Sequence, residues 1–272
     1  MVRKSSTLSP ARRQYLKNVK NYRRRVLFCQ IGVLIFFIAA WELLARWGVI
    51  DSFVFSMPSR ILATYANMAE NQLLTHIGVT VFETLAGFLL GAAIGTVSAV
   101  ILWWNPFIAK VSEPYLVVLN SLPKIALGPV IIIIAGAGTK AIIVMALAIS
   151  LVVTVLEMLG GFLRTDPEYI RMAETFGAKR RQIFFKIVLP YNIPTLFSSL
   201  KINIGLSLVG VIAGEFLVSK AGLGYLIVYG GQVFKLDLVM SSVIILSVVA
   251  ALMYELVNLL QKLVARRISH TN

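Results

Sequence analysis

VLFCQIGVLIFFIAAWELLA, residues 26–45, runs for twenty positions without a Lys or Arg and with a single acid, Glu42. About 20 apolar residues suffice to carry a helix through the hydrocarbon core of a bilayer. The run is preceded by nine basic side chains in 25 residues, ending in Arg23-Arg24-Arg25. A cleavable leader is the competing reading. The basic region is too long for it, the apolar run is full-span, and Trp41-Glu42-Leu43-Leu44-Ala45 is a poor small-residue cleavage site, so the run reads as an uncleaved first membrane helix. The rest of the chain has the same character. Of 272 residues, 58% are hydrophobic and only 14% charged, with a mean hydropathy of +0.83, whereas a soluble domain carries about 25% charge. The net charge of +14 lies in short blocks between apolar runs, which suits loops beside an anionic membrane face rather than a nucleic-acid surface. Cys29 is the only cysteine, so an intrachain disulfide and a cysteine metal cluster are excluded.

Working outward, residues 52–75 are polar enough to lie outside the bilayer, and Pro58-Ser59 starts a short helix with Ile61, Leu62, Tyr65 and Met68 at helical spacing. Further spans are predicted at about His76–Trp103, Asn105–Ala135, Lys140–Phe162, Pro190–Val218 and Leu238–Leu260. The third is interrupted by Pro114, Pro123 and Pro129. The fold expected is therefore an all-α membrane protein: a basic tail (1–25), a first span with its exit (26–51), an extracytoplasmic segment (52–75) and a core (76–267) whose longest loop is 164–186. Six spans place both ends on one side. With the N-terminus cytoplasmic, nineteen of the 26 basic residues face the cytoplasm and five face outward, the orientation that the positive-inside rule selects.

Catalytic chemistry is not apparent. His76 and His270 have no partners nearby in sequence for a metal site or a triad. No Gly-Lys dipeptide occurs, so a Walker A loop is excluded. The informative segment is the loop 164–186. Asp166-Pro167-Glu168 is a helix start, with a capping acid, a proline at the first helical position and a second acid at the positive dipole end. Ile170, Ala173, Glu174 and Gly177 then share one face, and small residues there would let another backbone come close. Lys179-Arg180-Arg181 should sit near headgroups, and Leu189-Pro190 opens the fifth span.

Ala173-Glu174-Thr175-Phe176-Gly177, nine further residues and Ile187-Val188-Leu189-Pro190 resemble the EAA loop of bacterial ABC-importer membrane subunits. Arg171 and Met172 stand where that motif has Glu and Ala. Phe55-Ser56-Met57-Pro58-Ser59, the run Ser121–Pro129 and Gly222-Leu223-Gly224-Tyr225-Leu226 are similar to signatures of the subfamily of nitrate, sulfonate, taurine and bicarbonate permeases. Relatives in that subfamily are proposed to import thiamine-precursor pyrimidines or riboflavin. The resemblance implies a type I importer transmembrane domain in the bacterial inner membrane. The loop helix would couple to a separate ATPase through Ile170, Ala173, Glu174, Gly177, Leu189 and Pro190. Partners implied are two ATPase subunits, which bind the ATP and Mg, a second permease copy in a homodimer, and an extracytoplasmic solute-binding protein. This chain would bind no cofactor and no nucleic acid.

Within the spans, Gly87, Gly91 and Gly95 recur every four residues, a ridge that allows close helix packing. Ionisable groups at membrane depth are functional hypotheses by default. Among them Glu113 and Glu157 fall near cytoplasmic ends and Glu215 near the outer end, where solvation suffices, while Glu83 and Lys201 are deeper. Ser121, Lys124, Asn203, Ser207 and Glu215 are the candidates for a solute path. The rival reading is a secondary transporter or channel not driven by ATP. It predicts internal repeats, and the two halves have no convincing match. A membrane enzyme would need paired acids, a His cluster or a nucleophile with its base.

Overall fold

The computed structural model describes residues 9–66 and 72–271, and all regular structure among them is helical. The chain divides into two compact units, residues 1–66 and 67–272.

In the first unit, α1 (Pro10–Arg46) is one unbroken helix of 37 residues, about 55 Å long at 1.5 Å per residue. The basic tail is thus helical from Pro10 onward. Ser9 caps it by accepting from the Arg12 backbone N–H. Residues 11–31 hold no Gly or Pro to stop it. Glu42, the one acid of the span, accepts from the Arg46 guanidinium at 2.7 Å and from the Ser59 backbone N–H at 3.1 Å. The pair ties the end of α1 to the start of α2 (Pro58–Ala66).

The second unit holds α3 (Leu73–Trp104), α4 (Pro106–Ser121), α5 (Gly128–Ala135), α6 (Thr139–Leu163), α7 (Pro167–Thr175), α8 (Ile193–Val218), α9 (Leu223–Gln232) and α10 (Leu236–Thr271). Across the chain, α1, α3, α6, α8 and α10 are long and apolar enough to cross a membrane, and the α4–α5 pair makes a sixth span if it is taken together. That pair is not a straight span. Pro123 forces the preceding Leu122 into extended backbone (ψ 137), the helix stops at Ser121, and the chain turns through 84° before continuing.

α6 is the central element, packed between α3 and α8. The glycine ridge of α3 faces it. A Cβ on Gly87 would lie 2.5 Å from Ala146 Cβ, one on Gly95 would lie 2.5 Å from Thr154 Cβ, and one on Gly91 would overlap Ser150. From the other side, Gly210 of α8 leaves only 2.6 Å between a built Cβ and Ala146 Cα, while Gly205 faces open space. Small residues on all three helices replace the hydrophobic drive that lipid does not supply. Phe88, Phe197, Ile204, Val249, Met253 and Val257 then close α10 onto α3 and α8.

Candidate functional site

α7 is built as its sequence demands. The Asp166 carboxylate accepts from the Glu168 backbone N–H at 2.9 Å, and Pro167 opens the first turn. Its far end is a Schellman turn. Gly177 (φ +75) donates to Glu174 O at 2.9 Å, and Ala178 donates to Ala173 O at 3.0 Å. No atom lies within 4 Å of a Cβ built on Gly177, so backbone conformation, not a small face, explains the glycine here.

The face expected to meet another protein divides in two. Ile170 is half-buried and Ala173 is buried, both packed on a core of Trp103, Met158, Phe162, Ile183 and Phe184. They seat α7 on its own chain. Glu174 and Gly177 stay exposed. The outer face carries Tyr169, Met172 and Phe176, the last 84% exposed. These three stand at i, i+3 and i+7, a spacing that was available in the sequence as a second apolar stripe.

Behind α7 the chain is clamped. Leu189 packs half-buried against the same core, and Pro190 is exposed. The fifth span starts at Ile193, after a break at Asn192. There the buried Asn192 amide donates to Thr165 Oγ1 and to Val188 O, both at 2.8 Å. Arg180, expected among lipid headgroups, instead donates to Trp103 O at 3.0 Å and lies 5.2 Å over the Trp103 ring. A carbonyl in the last turn of α3, where no further helical N–H follows to meet it, and an aromatic face beside it outcompete solvent for the guanidinium.

A second polar centre lies at the other end of α3. Glu215 was expected to be solvated at a span end. It is instead 1% exposed, because α9 folds over it. Its carboxylate accepts from Thr80 Oγ1 at 2.6 Å and from the Gly224 backbone N–H. Thr80 Oγ1 in turn accepts from the Leu223 N–H at 2.7 Å, and His76 Nδ1 accepts from the Gly222 N–H at 2.9 Å. The open donors at the N-terminus of α9 are thus met by a carboxylate, a hydroxyl and an imidazole. The His76 ring also stacks on Tyr225. Glu83 is fully buried on the same helix as Thr80, and among the described residues neither of its carboxylate oxygens has a hydrogen-bond partner. Sequence reasoning set His76 aside for lack of metal partners and did not single out Thr80. The signal for both was their spacing, one turn apart on a span end facing a glycine-rich loop.

The candidate path residues do not converge. Asn203 and Ser207 are fully buried, and the Asn203 amide donates to Thr154 Oγ1 at 2.6 Å. With Glu215 they lie inside the helix packing. Ser121 is exposed, and Lys124 is half-buried at the 84° break, donating to Asn120 O at 3.0 Å. Lys201 bridges α8 to α10 through Asn258 (3.3 Å) and Gln261 (2.6 Å). Among the described residues no group of three or more His, Cys, Asp or Glu is placed to hold a metal ion.

Residues 87–270 match the profile of the family described as binding-protein-dependent transport system inner membrane component. A probable ABC transporter permease of Haemophilus influenzae is 28% identical, over 82% of this chain and 90% of the relative. A putative aliphatic sulfonates transport permease of Bacillus subtilis is 24% identical, over 83% of this chain and 82% of the relative. Among solved structures, an inward-facing form of the MetNI methionine ABC transporter superposes with a TM-score of 0.64 at 19% identity, over 71% of this chain and 95% of that one.

Proposed function

Because this chain belongs to the family of binding-protein-dependent transport system inner membrane components, it is a membrane permease of an ABC importer, and we propose a division of labour among its parts. α7 is the coupling helix. Ile170 and Ala173 anchor it to the ends of α3 and α6, Tyr169, Met172 and Phe176 present its outer face to a separate ATPase subunit, and Glu174 is exposed on the opposite flank. The observation that carries this reading is the two-sided geometry of α7: an inward face locked into the core and an apolar face of Tyr169, Met172 and Phe176 that stays exposed, with Tyr169 against the Tyr191 ring at its edge. Gly177 holds the end of that helix, and Leu189-Pro190 join it to the fifth span.

ATP and Mg belong to the ATPase in this reading, and two ATPases require two copies of the permease, paired as a homodimer. The excess of basic residues beside α7 and in the tail supports a cytoplasmic position for both termini and the loop 164–186. α9 then lies on the outer side, roughly 35 Å away along α3, counted from Thr80 to Trp103 at 1.5 Å per residue, where a solute-binding protein delivers its cargo. The solute we favour is a small sulfonate-type anion, with taurine, nitrate and bicarbonate as its nearest chemical alternatives. Lys124 and Ser121, at the broken third span, face the path, since irregular backbone at membrane depth belongs where it lines a cavity. Asn203, Ser207 and Glu215 form the wall behind it.

The test is ATP hydrolysis and solute uptake in proteoliposomes holding the permease, its ATPase and its binding protein. The solutes offered are taurine, alkanesulfonates, nitrate, bicarbonate, a hydroxymethylpyrimidine and riboflavin. Stimulation by a sulfonate that depends on the binding protein is expected. Stimulation by the pyrimidine or riboflavin alone would overturn the anion assignment, and flux without ATP would overturn the importer.

A second expectation concerns Gly177. Forcing a side chain into φ +75 costs about 1–2 kcal/mol for most residues, with Asn the least penalised. Gly177→Asn should keep ATPase binding near normal, Gly177→Ala should weaken it several-fold, and Gly177→Arg should weaken it further. Equal loss in all three, measured by co-purification with the ATPase, would mean that bulk at this position matters rather than backbone conformation.

A further inference from the structure

The aqueous end of α1 has a pattern that neither spanning the membrane nor coupling to an ATPase requires. Arg12, Lys17, Lys20, Arg23 and Arg24 are all exposed. At 3.6 residues per turn they fall within an arc of about 140° on one side of the helix. Tyr15, Val19, Tyr22 and Val26 follow one another at i, i+4, i+7 and i+11 on a neighbouring face, with Tyr15 67% and Tyr22 70% exposed. No acid precedes Glu42 in the chain, and Glu42 is engaged by Arg46 and Ser59. Among the described residues none of these five cations forms an ion pair with an acidic side chain.

We propose that residues 12–25 of α1 are a binding surface for anionic phospholipid headgroups, formed by this cationic stripe with the tyrosine stripe beside it. Topology favours lipid over any other polyanion. The stripe is continuous with a span, so bilayer phosphates stand against its first turn at all times. A span leaves the bilayer at a tilt, about 20° on average and up to 40°, and a tilted helix turns one long face toward the leaflet it has left. A ring of charge would waste half its cations on solvent, whereas a stripe keeps each within reach of the surface potential, which decays over about 8–10 Å. Long basic side chains can bend back toward the phosphates. Tyrosine prefers the headgroup layer, where its ring is covered and its hydroxyl is wet.

The experiment uses the full permease–ATPase complex, carrying Cys29→Ser and a fluorophore at Asn18→Cys, which lies on neither stripe. It is reconstituted into vesicles of phosphatidylcholine alone or of phosphatidylcholine with phosphatidylglycerol, each with a trace of headgroup-nitroxide lipid that quenches nearby dye. Strong quenching is expected in the phosphatidylglycerol vesicles, and little in phosphatidylcholine or in molar salt. In R12Q/K17Q/K20Q the ratio of surface-held to free segment should fall about a hundredfold, three charges each contributing roughly one surface-cation increment. ATP-driven uptake by that variant should remain near wild type, because the stripe lies outside the coupling and path residues. Equal quenching in both vesicle types, or quenching indifferent to salt, would overturn the proposal. So would loss of ATPase association by the charge variant with its quenching unchanged, which would make the occupant a protein.

Discussion

Phe176→Asp is expected to abolish coupled uptake while leaving the permease folded and inserted. Phe176 projects from α7 almost fully exposed, so its removal costs the isolated subunit little. In the proposed complex it is the one large aromatic at the tip of the docking face. Buried aromatic anchors of that kind are worth about 2–4 kcal/mol when removed, and the introduced carboxylate would add an unpaired charge to the interface. Affinity for the ATPase should therefore fall by roughly 30- to 1,000-fold. The readout is binding of purified ATPase to detergent-solubilised permease, with the thermal stability of the permease followed in parallel. Tyr169→Ala should act in the same direction but less strongly, and Ala173→Leu should act by unseating α7 and should lower the stability of the permease alone. Unchanged affinity in Phe176→Asp would place the docking surface elsewhere on the chain.

The second large effect is expected at the start of α9. A Cβ on Gly224 would lie 2.7 Å from Glu215 Oε2 and 2.9 Å from Glu215 Cβ, and one on Gly222 would run into the same carboxyl group from a backbone at φ +114. Neither side chain can be accommodated unless the Glu215 carboxyl group or α9 shifts. A fully buried carboxylate would then lose its backbone donor, at about 1–3 kcal/mol for the broken contact and more for a charged group. Gly222→Ala should be the worse of the two, because it adds backbone strain to the clash. Both should lower the melting temperature of the full-length permease and expose the outer end of α3. Glu215→Ala removes the carboxyl group that a side chain at position 222 would meet, so the double variant Gly222→Ala/Glu215→Ala should lose less stability than the sum of the single changes. Strict additivity would mean that the carboxylate and the glycine do not meet.

Much of this architecture is written in the sequence because the bilayer imposes a coarse rule: each crossing needs a long apolar run, and runs are easy to see. The cap at Asp166-Pro167 was equally legible, since capping depends on neighbours in the chain. What was not legible depends on partners far apart. Nothing near Glu215 in sequence announces Thr80, 135 positions away, so the acid looked like a group that water would satisfy. Arg180 reads as a headgroup ligand until Trp103 is brought beneath it. The periodicity of α7 gave one face where there are two, because Ile170 and Ala173 pack against residues of α3 and α6 that no local window contains. That the basic tail is helical from Pro10 goes unseen when only its charge is read, although Arg, Lys and Gln are good helix formers.

The meshing of α3, α6 and α8 has a mechanical consequence. With glycines of two helices closed onto Ala146 and its neighbours to within a methyl group's reach, the three helices resemble interlocked cogs that cannot slide past one another without first coming apart. Shear within such a block is opposed, so a push delivered to α7 in the proposed coupling would have to reappear as a swing of the whole block at the other end. The bend after Ser121 lies outside this meshed surface, whereas the helix break beside Asn192 is pinned by the hydrogen bonds from its buried amide to Thr165 and Val188. A swing of the whole block would bend the chain at the break after Ser121 before it bent any of the long helices.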